Sequence, residues 1–321
     1  MTPHTTTRMT ARTPEDLLAV VPVVLGFDPH DSVVMLTFGA RDPFHARVDL
    51  PPPEHAREVL DVLLRPAVGH EVERVVLVLY ADRPHPAEQV GRMLVRGFRD
   101  AGIEVVDLIR ADGTRWYPLL RRRRGREAGV PYDLSAHPFA VQAVFDGRVT
   151  HGSRQALAAT VRPDPDAVAR VEAVPPAQAE ASPPSVTATA ARLTTSTEPA
   201  DDATAARLLA AVADDVACRD AAWLGLTRAG AREHVELWTD LHRRAPDDLA
   251  ADAAAVLALS AWLAGHGALA WCAVDRAASL EPGHTLAALV ADLLTRAVPP
   301  SAWPGSLAAE EEELPARAEP A

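Results

Sequence analysis

The chain has no lysine and no asparagine, and isoleucine occurs only at Ile103 and Ile109. All 32 basic residues are therefore arginine. The missing types share AT-rich codons, so the bias reads first as the mark of a GC-rich coding sequence. Whatever its origin, it rules out a lysine Schiff base and a P-loop lysine. Cysteine is almost as scarce. Cys218 and Cys272 stand alone in separate apolar, helix-like stretches. Two distant thiols make neither a disulfide framework nor a zinc site, so no metal is expected and both read as small buried hydrophobes. Long apolar runs are also lacking, which excludes a membrane-spanning helix. Met1 to Thr13 has no apolar core of the kind a signal peptide needs. These absences together predict a cytoplasmic protein with no membrane partner. No GxGxxG, P-loop, GxSxG or HExxH motif occurs anywhere in the chain, which removes the familiar nucleotide-fold enzymes and hydrolases.

What is present is unevenly distributed. The net charge of -12 falls almost wholly in the second half. Residues 1–150 hold 19 arginines against 20 acids, and residues 151–321 hold 13 against 24. So acidic a second half argues against nucleic acid or an anionic membrane as its partner.

Residues 14–162 read as an α/β domain with a mixed, mostly parallel sheet of about five strands. Thr13 is a plausible N-cap for a helix that has Pro14 at its first position and stops before Gly26. Val33 to Phe38 and Arg74 to Tyr80 are apolar enough to be strands covered on both faces. His45 to Leu50 alternates, as a half-exposed strand does, with His45, Arg47 and Asp49 on one side. Helices are expected over 53–64, 86–101, 138–145 and 153–161. Asp112-Gly113 is a strong hairpin turn between two further strands. Residues 163–202, rich in proline and alanine, read as a linker holding at most one short helix, with Pro175-Pro176 and Pro183-Pro184 as breakers. Residues 203–298 read as an all-α domain, and 299–321, with Glu310 to Glu313, as a disordered acidic tail. Within the helical part, Ala270, Val274, Ala277 and Pro282 fall at the spacing of a tetratricopeptide second helix. The first-helix signature positions are occupied by Ala254 and Ala258, so a compact bundle fits as well as a repeat.

Several short segments occur in one order: Asp16-Leu17-Leu18, Pro22, Leu25-Gly26-Phe27, Pro29, Asp31-Ser32-Val33-Val34 and Arg47-Val48-Asp49-Leu50-Pro51. They continue with Asp112-Gly113, Arg115-Trp116, Ser153 to Leu157, Cys218-Arg219-Asp220 and Gly267 to Pro282. In this the chain resembles an actinobacterial family known as domain-of-unknown-function family 4192. The resemblance covers most of the chain but misses the linker and the tail, and it implies no activity. It implies a small cysteine cluster after the tryptophan segment, where this chain has Arg121 to Arg126 and no cysteine.

Three groups of residues could carry chemistry. Asp28, His30, Asp31 and Ser32 crowd the turn before the first buried strand, where carboxylate and imidazole could bind a ligand, act as acid and base, or hold a metal with Asp49 or His137 as further ligands. A plain Asp-Pro turn explains the first four equally well. Arg47 and Asp49 share one strand face, where arginine can hold a phosphate or carboxylate or merely pair across the strand. Arg115, Trp116, Arg121, Arg122, Arg123 and Arg124 combine basic and aromatic character in the manner of a single-strand or RNA-binding surface, or of a solvated loop. The leading expectation is a non-catalytic regulatory or adaptor protein that takes a small anionic ligand or, through the helical domain, a protein partner. The alternative is an enzyme of unrecognised type acting on an anionic small molecule through the Asp28–Asp31 turn. RNA binding through the arginine patch ranks below both, and nucleic acid is not expected as a partner.

Overall fold

The computed structural model describes residues 10–40, 42, 44–120, 128–175 and 181–303. The chain divides into two compact units, Met1–Ala156 and Leu157–Ala321. In the first, helix α1 (Pro14–Leu25) starts at a reciprocal capping box. The Thr13 hydroxyl accepts the Asp16 N–H at 3.1 Å, and Asp16 Oδ2 accepts the Thr13 N–H at 2.9 Å. Gly26, at φ +77°, closes the helix in the left-handed conformation that glycine adopts without strain. There follow β1 (Ser32–Phe38), β2 (His45–Asp49), α2 (Ala56–Gly69), β3 (Arg74–Tyr80), α3 (Pro84–Asp100), β4 (Glu104–Ala111), β5 (Arg115–Pro118), β6 (Val130–Pro131) and α4 (Pro138–Phe145). The short helix α5 (Arg154–Ala159) straddles the division.

The sheet has six strands in the order β2-β1-β3-β4-β5-β6. It is mixed as expected, but it is not mostly parallel: β3 and β4 form the one parallel pair, and the other four pairings are antiparallel. The reason lies in β1. Strand–helix–strand alternation predicts that α2 joins adjacent parallel strands. However, β1 is already hairpinned to β2 and occupies the slot between β2 and β3, so it runs against both. The sixth strand, Val130–Pro131, falls in a stretch whose glycine and proline read only as turn.

Strand alternation builds two apolar layers. Val33, Met35, Leu77, Leu79 and Leu108 face α2 and α3. Val34, Leu36, Val76, Val78, Ile109 and Trp116 face α1. Every residue of β1 except Phe38 and every residue of β3 except Arg74 is buried, as their apolar runs predict. On the first face α3 comes very close to its neighbours. A Cβ on Gly97 would lie 2.2 Å from Leu60 Cδ2 of α2, so any larger residue there would force the Leu60 side chain to move.

The second unit is entirely helical: α6 (Pro165–Glu172), α7 (Pro183–Thr194), α8 (Asp202–Asp214), α9 (Val216–Trp223), α10 (Ala231–Arg244), α11 (Ala250–Leu263), α12 (Gly267–Leu280) and α13 (Thr285–Thr295). The first two stand in the segment expected to be a linker. Pro165 and Pro183 are not breakers but first-turn residues, where a missing N–H costs nothing. Ala167 and Val171 of α6 and Val186, Ala190 and Leu193 of α7 are buried, with α6 against α8 and α10 and α7 against α9. The expected tail also starts late. Pro300–Ala302 form a 3₁₀ turn, and Trp303 meets the rings of Trp223 and Trp262 edge-on at 5.8 Å. Glu310 to Glu313 lie outside the described residues.

Helix α11 is buried along its length except at Asp252, and α8, α9, α10, α12 and α13 all pack on it. A helix apolar all round belongs at the centre of a unit. Its many alanines let neighbouring backbones approach closely. Cys218 and Cys272 are both buried and unbridged, as their apolar setting suggests. Among the described residues no helix is long and apolar enough to cross a membrane.

His242 on α10 has no solvent exposure. Burial, with Arg276 nearby, pushes its pKa down from 6.5 to about 4. Between those values the unfolded chain binds the proton and the folded chain does not, so stability falls as pH drops from about 6.5 towards 4. Burial pushes His45 and His234 down as well, so urea titrations across this window should show proton uptake on unfolding that falls by about one proton in His242→Leu.

Candidate ligand site

A cleft of about 480 Å³ opens on the α1 side of the sheet, at the carboxyl ends of β3 and β4. Open α/β sheets commonly place ligands beyond the carboxyl ends of their strands. Because β1 runs against β3, with Ser32 opposite Tyr80, the turn that enters β1 reaches the same end. Asp28, Pro29, His30 and Asp31 therefore form one wall. Tyr80, Ala81 and Asp82 follow β3, and Ala111, Asp112 and Gly113 follow β4. Tyr132, Asp133 and Leu134 arrive from β6, and Leu18 and Pro22 from α1. Pro22 has no N–H to offer the Leu18 carbonyl one turn back, so the α1 wall also has an acceptor without its helical donor.

The turn is held from behind. The Asp28 N–H donates to the His151 carbonyl at 2.8 Å, and the Asp31 carbonyl accepts the Leu50 N–H at 2.8 Å. Asp31 sits at φ +42°, a conformation that aspartate tolerates better than most residues. The carboxylates of Asp28, Asp31 and Asp82 are exposed and form no hydrogen bond or ion pair among the described residues. Asp112 differs. Burial works against its charge, but the Arg115 N–H, the Tyr117 hydroxyl, and the N–H and hydroxyl of Thr114 all donate to it, holding its carboxyl down to about 2. At the cleft floor Tyr80 is 9% exposed, and its hydroxyl is buried without a hydrogen-bond partner among the described residues. Burial first, then Tyr132 and Asp28, push the phenol's pKa upward, so it stays a neutral hydroxyl.

The structure brings together only part of what the sequence singles out. Asp28, His30 and Asp31 line the cleft. Ser32 is fully buried, and its hydroxyl donates to the His30 carbonyl at 2.5 Å. Arg47 is committed elsewhere: Nε donates to Ser32 Oγ at 2.8 Å and Nη1 pairs with Asp49 at 2.7 Å. Neither Arg47 nor Asp49 lines the cleft. His137 is the N-cap of α4. Its Nδ1 accepts the Phe139 N–H at 3.2 Å, which leaves Nε2–H to donate to Asp16 at 3.2 Å. In the basic patch, Trp116 is 2% exposed and donates its indole N–H to Glu15 at 2.8 Å, so its ring is not available for stacking. Arg115 spends Nη1 on the carbonyls of Ala128 and Gly129. Arg121, Arg122, Arg123 and Arg124 lie outside the described residues. Tyr80, Asp82, Tyr132 and Asp133 escape sequence reasoning. The one available signal was the polar Tyr80-Ala81-Asp82 ending of an otherwise apolar strand.

The helical unit holds a second polar cluster. Asp252, Glu281 and His284 place ligand-type atoms within 4.8 Å of one another. Hydrogen bonding determines its nature. His284 Nδ1 accepts the Ala287 N–H at 3.3 Å, so the proton sits on Nε2, which donates to Asp252 Oδ1 at 3.0 Å. Neither ring nitrogen keeps a lone pair for a metal. Arg219 Nη1, 3.5 Å from Asp252, adds positive charge. The cluster is a cap and an ion pair.

Residues 14–301 match the family model described as Domain of unknown function (DUF4192), and the chain belongs to that family. Comparison with curated proteins and with solved structures gives no match.

Proposed function

We propose that the chain is a non-catalytic binding protein whose α/β unit holds a small ligand in this cleft. The carrying observation is the Tyr80 hydroxyl, buried without a partner at the floor of an open cleft. Buried polar groups are normally paired, and a ligand atom would supply the missing partner. Two facts favour binding over catalysis. No serine, threonine, cysteine or lysine is among the described lining residues. Among the described residues the His30 ring makes no hydrogen bond that would fix its orientation, whereas a working general base is held by a third group. For the helical unit we keep the reading of α11 and α12 as one tetratricopeptide-like hairpin within a bundle. On the cysteine usage, the setting we propose is cytoplasmic.

Native mass spectrometry of the full chain, beside the denatured protein, tests the ligand reading. The expected result is a discrete extra mass in the native sample alone. It should disappear in Asp82→Trp, which fills the cleft from its exposed rim. A bare wild-type chain, together with a small-molecule library in which no compound raises the melting temperature of wild type more than that of Asp82→Trp, would sink it.

A further inference from the structure

Building on that ligand reading, we propose that the cleft recognises a small organic cation, a molecule carrying an ammonium or guanidinium group. The α/β half of the chain is nearly neutral, with 19 arginines against 20 acids over residues 1–150. An acidic cleft there is therefore not inherited from an acidic surface. Five aspartates nevertheless line it, and no arginine does. The Arg110 guanidinium is 3.9 Å from Asp112 and offsets that one charge. Arg110 lies between Ile109 and Ala111, which face α1, so alternation turns it to the opposite side of the sheet. There it donates to the Ala81 carbonyl at 2.8 Å and covers the Tyr117 ring at 3.8 Å. Asp28, Asp31 and Asp82 thus stand unpaired around a space that also contains an unpartnered tyrosine hydroxyl.

An ammonium or guanidinium group satisfies all of these at once. Its N–H groups donate to the carboxylates and to the Tyr80 oxygen. An anion would instead face the unpaired carboxylates of Asp28, Asp31 and Asp82. A metal ion is also disfavoured. Among the described residues, the only three histidine, cysteine, aspartate or glutamate side chains with ligand atoms within 4.8 Å of one another are those of the Asp252 cluster. No three of the described cleft side chains therefore gather on one ion, while the cleft volume of about 480 Å³ suits an organic molecule. The alternative of an anionic ligand held by Arg47 loses its support, because that guanidinium is already paired.

The test is isothermal titration calorimetry on the full chain at low salt. The probes are agmatine, putrescine and phenethylamine, with 1,4-butanediol as the neutral counterpart of putrescine, and with succinate and magnesium chloride. At least one amine should bind at one per chain, while the neutral, anionic and metal probes give no heat. Binding should weaken by about tenfold or more in the double variant Asp28→Asn/Asp82→Asn, and severalfold in Tyr80→Phe. Both variants should keep the wild-type melting temperature, because the altered groups are unpaired. Amine binding that survives both variants would be general attraction to an acidic chain, and would overturn the proposal. Binding of butanediol or succinate that is lost in Tyr80→Phe would also overturn it, yet leave the ligand-site reading intact. Failure of all three amines overturns it as well, and the ligand-site reading then stands or falls on its own mass-spectrometry experiment.

Discussion

Trp116→Ala should cost the α/β unit about 3–5 kcal/mol, the range for removing a large aromatic from a close-packed interior. The indole is 2% exposed and packs among Leu18, Val21 and Ile109 on the α1 face of the sheet. Its N–H reaches Glu15 at 2.8 Å, across 101 positions of sequence, and so ties β5 to the first turn of α1. Alanine would open a cavity and leave Glu15 without that donor. Trp116→Phe keeps most of the apolar contact and loses the hydrogen bond, so it should cost about 1 kcal/mol plus a packing term. Trp116 is the only tryptophan of the first unit, and the other five lie in the second. Fluorescence therefore follows the helical unit, and the loss must be located by amide exchange. Protection should fall first in α1, the helix that provides Leu18 and Pro22 to the cleft wall. A stacking residue on an RNA-binding surface would behave in the opposite way, with lost binding at little cost in stability.

That contrast shows where sequence reading succeeded and where it failed. Local signals were legible. Thr13-Pro14 begins a helix, Gly26 ends it, apolar runs make β1 and β3, and Asp112-Gly113 makes a turn. Each depends on residues within a few positions of one another. Trp116 reads as a surface residue because its immediate neighbours are Arg115 and Tyr117, while Glu15, Leu18 and Val21, which hold it in the interior, are about a hundred residues away. The expectation of mostly parallel pairing fails for a similar reason. Nothing local says that β1 slips between β2 and β3. The prolines at 165 and 183 were legible only as prolines. Whether a proline breaks or begins a helix depends on what that helix can bury, and α6 and α7 find their partners in α8, α9 and α10.

The candidate site was half legible on the same principle. Asp28, His30 and Asp31 stand out because they are adjacent. Tyr80, Asp82 and Tyr132 join them only through the antiparallel pairing of β1 with β3 and the arrival of the chain after β6. Arg47 and His137 were plausible ligands from their types alone. The structure assigns each to a hydrogen bond that sequence cannot show, Arg47 to Ser32 and Asp49, and His137 to the start of α4.

Asp252→Ala should lower the stability of the helical unit by about 3 kcal/mol, near the low end for breaking a buried ion pair. Asp252 is the one residue of α11 that is not buried apolar or buried serine, and its side chain is 16% exposed. It accepts from His284 at 3.0 Å and lies 3.5 Å from Arg219, which is itself 9% exposed. Without the carboxylate, the His284 N–H loses its partner inside the protein, and Arg219 keeps only Asp220, at 3.1 Å. That surviving partner is why the cost falls at the lower end. Asp252→Asn retains an oxygen for His284 and should cost about half as much. Urea unfolding followed by tryptophan fluorescence reads this unit directly. Zinc gives the decisive control. If Asp252, Glu281 and His284 held a metal, zinc would raise the wild-type midpoint and Asp252→Ala would abolish the effect. The tautomer fixed by Ala287 predicts instead that zinc leaves the midpoint where it is, and that the loss in the variant comes from the Arg219 ion pair and the His284 hydrogen bond.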